Sequence, residues 1–113
     1  MKISRAVHGE ILALTIEEER LDAAAALSFK ECMRDATADH SGRVLIDMKK
    51  VDFLDSSGLG ALVAGMKMLE GGRRLELARC GPIVDKVLRL TRMDSVFVLH
   101  MERPWITDGQ DAA

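Results

Sequence analysis

The chain has 113 residues and a mass of 12.4 kDa, one domain's worth, long enough to bury roughly two-thirds of its unfolded surface without disulfides or metals. Hydrophobic residues make up 48% and charged residues 30%, with a net charge of only −2, which argues against disorder and against direct nucleic-acid binding. The longest apolar stretch, Leu59 to Met66, falls far short of the roughly 20 residues that cross a bilayer, and Met1 to Val7 has no apolar signal segment. No membrane insertion is therefore expected, and the cytoplasm is the expected compartment.

Taken in chain order, Ile3 to Val7 reads as a weak strand and Ile11 to Ile16 as a strand buried on both faces. The run Glu17 to Glu19 reads as a solvated edge. Asp22 precedes an alanine-rich segment and can accept from its free amides, so Leu21 to Ala36 reads as a helix with Ala26, Phe29, Met33 and Ala36 as its apolar stripe. Val44 to Met48 is a second buried strand, with Asp47 placed to bond the amides of the following turn. Phe53 to Gly72 then runs from a polar turn into a helix whose Leu59, Leu62, Val63, Met66 and Leu69 face inward, stopped by Gly71 and Gly72. Arg74 to Ala78 is a third core strand. Gly81 and Pro82 open another helix, with Ile83, Val84, Val87, Leu88 and Leu90 on its apolar side, and Val96 to Leu99 closes the sheet. Residues 1–103 form the expected domain, and 104–113 a loose polar tail in which the placement of Trp105 stays open. Alternating strands and helices predict an α/β layered fold, a mixed, mostly parallel sheet of about four to five strands with three to four helices.

Cys32 and Cys80 lie apart and outside any CxxC pair, so both are expected as reduced, packed thiols. His8, His40 and His100 are scattered without acidic partners at ligand spacing, and neither a metal nor a cofactor is expected.

The segment Asp55 to Gly60, DSSGLG, lies at a strand-to-helix junction, where open α/β sheets collect ligands and modifications. Any of Asp55, Ser56 and Ser57 can cap the new helix. The segment lacks the lysine of a Walker loop, the GxGxxG of a dinucleotide fold and the GxSxG of a nucleophile elbow. No acid, base and nucleophile assemble into a reaction, so an enzyme is not expected.

Ile11 onward, LD at Leu21 to Asp22, VLIDM at Val44 to Met48, VDFLDSSGLGAL at Val51 to Leu62 and LRLTRMDSVFVLH at Leu88 to His100 together resemble a STAS domain, most similar to the bacterial anti-sigma factor antagonists. The resemblance implies a partner switch. An antagonist of this kind binds an anti-sigma factor that is also a serine kinase, is released by phosphorylation on the serine before the glycine, and is reset by a serine phosphatase. By position that serine is Ser57. Asp22, Asp55, Ser56, Gly58, Gly60, Ala61, Ala64 and Met68 are the expected partner-binding residues; Gly60, Ala61, Ala64 and Met68 lie beside the inward face of the helix, all but the last very small, and either admit another backbone or pack under a neighbouring helix. The chain is expected as a monomer or weak dimer. The alternative within the same fold is an accessory subunit of a lipid or anion transporter, in which the serine is only a cap. Glu19 and Arg92 depart from the pattern, each standing where many relatives have glycine.

Overall fold

The computed structural model describes residues 1–106. Strands β1 (Ile3–His8), β2 (Ile11–Ile16), β4 (Arg43–Asp47), β6 (Glu76–Ala78) and β7 (Val98–His100) form one sheet in the order β1-β2-β4-β6-β7. Only β1 runs antiparallel, through a turn at Gly9 (φ 62°), and the rest of the sheet is parallel. Three α-helices, α1 (Ala23–Thr37), α2 (Ser56–Lys67) and α3 (Pro82–Leu90), complete the predicted layered α/β fold.

The two faces of the sheet differ. On one, Leu12, Leu14, Ile16, Val44, Ile46 and Leu77 pack with Phe29 and Met33 of α1, Leu59 and Leu62 of α2, and Val84 and Leu88 of α3. Helices α1 and α2 approach closely because position 65 is glycine: a Cβ there would lie 3.2 Å from Met33 Cγ. The opposite face carries a smaller apolar patch of Ile11, Leu45 and Ala78, on which Trp105 packs. Its ring stacks on His8 with centroids 4.0 Å apart. Pro104 to Ile106, the first three residues of the segment expected as a loose tail, are half-buried, and positions 107–113 lie outside the described residues.

Charge completes that second face. Glu76 is buried and receives Arg43 Nε at 2.8 Å and Arg43 Nη2 at 2.7 Å, with His100 Nε2 at 2.8 Å from its Oε1. Burial would raise its pKa, but the hydrogen bonds from Arg43 and His100 outweigh burial and hold it below the ordinary value. Asp47, equally buried, accepts the Lys49 amide at 3.1 Å as the sequence suggested, and also pairs through both oxygens with Arg79.

Several expectations shift. Helix α1 starts at Ala23, because Leu21 belongs to a short strand, β3 (Arg20–Leu21), that pairs in parallel with another, β5 (Phe53–Leu54). Ile83 and Leu90 of α3 are exposed rather than packed, since this nine-residue helix turns Val84 and Leu88 into the core, with Val87 partly buried against it. A 3-10 turn at Met93–Ser95 delays the last strand to Val98. Both Gly71 and Gly72 take positive φ, but in a 3-10 turn after α2 has already ended at Lys67.

Candidate functional site

The β3–β5 pair decides the geometry of the site. Leu21 and Leu54 point inward and are buried, so alternation turns Arg20, Asp22, Phe53 and Asp55 to the outer side. Because the two strands are parallel, the helices that follow them begin side by side, each with an aspartate as its N-cap. Asp22 Oδ1 accepts from the Ala25 amide at 3.2 Å, and Asp55 Oδ1 accepts from the Gly58 amide at 2.8 Å.

Of the three candidate caps at the DSSGLG junction, Asp55 therefore does the capping. Ser56 and Ser57 occupy the first two positions of α2, both exposed, and neither makes a side-chain hydrogen bond among the described residues. Gly60 follows with nothing within 4 Å of where a Cβ would stand. Helical spacing aligns Ser56, Ser57, Gly60, Ala64 and Met68 on the outer side of α2, with Ala64 and Met68 half-buried. The stripe is narrower than the spacing suggested. Ala61 is buried, because the helix leans on α1 through that side, and Met68 also touches the core.

Gly58 is corrected as well. Expected on the partner surface, it is buried, and a Cβ on it would lie 1.9 Å from the Leu21 carbonyl oxygen. The glycine admits this chain's own backbone, not a partner's. Asp22, in contrast, does begin its helix at the same edge as Ser57, on a strand directly paired to the one leading into the serines.

The sequence reading missed Arg20. Its guanidinium lies 3.9 Å from the centroid of the Phe53 ring and its Nε donates to Asp22 Oδ2 at 3.1 Å. That hydrogen bond is the main reason the Asp22 carboxylate sits below its ordinary pKa. Only the pairing of two-residue strands puts the ring and the cation together, and no motif announces it.

Comparison with known proteins places this arrangement. The STAS domain family profile matches residues 2–106. The chain belongs to the STAS domain family. Among solved structures, its fold is similar to an anti-sigma-factor antagonist STAS domain protein from Planctomyces limnophilus, with 22% identity, a TM-score of 0.79 and coverage of 89% of this chain and 90% of that one. It is similar also to an anti-sigma factor antagonist from Mycobacterium paratuberculosis, at 24% identity and TM-score 0.78 over 98% of this chain and 92% of that one. A third likeness is the Bacillus cell fate determinant SpoIIAA in its phosphorylated form, at 19% identity and TM-score 0.64 over 98% of each chain. In the STAS domain described here, no helix among the described residues is long and apolar enough to cross a membrane.

Proposed function

We infer that this STAS domain is an anti-sigma factor antagonist working by partner switching. Unphosphorylated, it binds an anti-sigma factor serine kinase; phosphorylation of Ser57 releases it, and a serine phosphatase restores it. The observation that carries this reading is the uncommitted Ser57 hydroxyl. Asp55 already caps α2, so the two exposed serines that follow it are spare to the fold. Structural likeness to antagonists, and to SpoIIAA in its phosphorylated form, supports the same reading.

A phosphate on Ser57 adds about −1.5 to −2 charges in the first turn of a helix, where the helix dipole favours negative charge. The domain therefore stays folded, and the switch acts at the interface. There the partner backbone approaches over Gly60 and Ala64, and a dianion against an acidic or apolar surface weakens binding on the order of a hundredfold, near 3 kcal/mol at about 1.4 kcal/mol per decade.

The test is intact-mass analysis of the protein from its native cells before and after phosphatase, with peptide mapping across Val51 to Lys67, beside affinity capture with Ser57→Ala and Ser57→Asp. The reading expects one removable phosphate on Ser57, a kinase captured by Ser57→Ala and none by Ser57→Asp. Identical captures with both variants, and no phosphate under any growth condition, would leave Ser57 a passive helix residue and favour the transporter-accessory role.

A further inference from the structure

The geometry points to Arg20 as the positioning residue for the phosphate on Ser57, exchanging its present hydrogen bond to Asp22 for the phosphoryl oxygens. The inference rests on the reading of Ser57 as a phosphorylation site and adds the group that holds the product.

Three observations converge on Arg20. First, its side chain is on the outer side of the β3–β5 pair, held between the Phe53 ring at 3.9 Å and the Asp22 carboxylate at 3.1 Å. That side chain is 60% exposed, and Asp22 is its one ion-pair partner among the described residues. An exposed pair of this kind is worth little, so exchanging it costs little.

Second, the reach suffices. Leu21, the next residue, has its carbonyl oxygen against Gly58, the residue after Ser57. Traced through that contact, the Arg20 and Ser57 Cα atoms are at most about 13 Å apart. An extended arginine, a phosphoserine and one hydrogen bond span roughly 14 Å.

Third, the charge balance demands a cation. Asp22 and Asp55 share this side of the site, both engaged as caps. A phosphate arriving beside them adds like charge to like charge, and Arg20 is the cation on these two strands. Arginine also suits the task, because its planar fork meets phosphate oxygens in pairs. Once it turns to the phosphate, Asp22 keeps its amide partner at Ala25 and α1 keeps its cap.

The experiment uses the full chain with phosphoserine incorporated during translation at position 57, which makes it independent of any kinase. The second ionisation of the phosphate is followed by phosphorus NMR against pH in three backgrounds: Arg20, Arg20→Gln and Arg20→Lys. A guanidinium on the phosphate favours the dianion, so the midpoint in the Arg20 protein is expected about half a pH unit or more below that of Arg20→Gln, with Arg20→Lys between them. A purely structural role for Arg20 on Phe53 moves melting temperature and leaves this midpoint alone. Coincident titration curves for Arg20 and Arg20→Gln, both shown folded by circular dichroism, would overturn the proposal. The switching reading fails separately, by identical partner capture with Ser57→Ala and Ser57→Asp, whatever the titrations show.

Discussion

The carbonyl oxygen of Leu21 stands where a side chain at Gly58 would begin, 1.9 Å from the position of its Cβ. This contact locks the first turn of α2 onto strand β3 and so ties the two helix starts together. Replacing Gly58 by alanine forces backbone apart from backbone, since the Leu21 carbon is also within 2.7 Å. Gly58→Ala is expected to destabilise by about 3 kcal/mol or more, in the range of severe overpacking. Gly60→Ala, two residues on in open space, is expected to stabilise by roughly 0.5–1 kcal/mol through helix propensity. Urea unfolding of the two variants checks the opposite signs.

Arg92 holds φ 61° as the residue before the 3-10 turn at Met93–Ser95. The left-handed region costs a residue with a Cβ about 1–2 kcal/mol, whereas glycine gives back about 0.5–1 in backbone entropy. Arg92→Gly should therefore stabilise by on the order of 0.5–1 kcal/mol, a rise of about 2–6 °C in melting temperature. A lower melting temperature would mean that the Arg92 side chain contributes more than its backbone strain costs.

Glu76 makes stability depend on acid. Its pKa is lower in the folded state than its ordinary 4.5, against the pull of burial, because Arg43 and His100 hydrogen-bond the charged form. A depressed carboxylate contributes stability that is complete above its unfolded pKa and is lost as pH falls through the folded one. The stability difference between the parent and Glu76→Gln should be flat above about pH 5 and shrink below about pH 4. Denaturant titrations at a series of pH values measure it, and a difference that stays constant through the acid range would refute the assignment.

Trp105 is the single tryptophan of the chain, so its fluorescence reports the segment that crosses the second sheet face. Trp105→Ala removes the stack on His8 and uncovers Ile11, Leu45 and Ala78, an expected loss of about 1–3 kcal/mol for a half-buried ring. In the parent, an emission maximum already at the position of free tryptophan would contradict the packing.

Much of this architecture was legible because long periodic segments announce themselves. The runs from Ile11, Val44 and Ser56 carry their period over five to twelve residues, and the structure places strands and a helix there. What was missed is short or mutual. Strands of two residues, Arg20–Leu21 and Phe53–Leu54, have no period to read, yet they bring the two capped helices together. Ile83 and Leu90 obey a helical pattern but stay largely exposed, and pattern alone does not say which apolar residues are covered. At the site, the DSSGLG segment marks the strand-to-helix junction that the structure also has there. The roles within it followed only from contacts: Asp55 as cap, Gly58 as the seat of the Leu21 carbonyl, and Ser57 left free. Asp47 reads from the sequence only as a partner of turn amides and Glu76 sits unmarked within Arg74 to Ala78, because their partners Arg79 and Arg43 lie 32 and 33 positions away along the chain.

The segment carrying Trp105 comes off the ribosome after all five strands of the sheet. Until it emerges, the face formed by Ile11, Leu45 and Ala78 has no aromatic cover, although every strand that builds it is already made. A chain truncated before position 105 is therefore expected to expose an apolar patch beside its sheet, the kind of surface that promotes association. Trp105 thus closes, from outside the strands, an apolar face that the strands alone leave open.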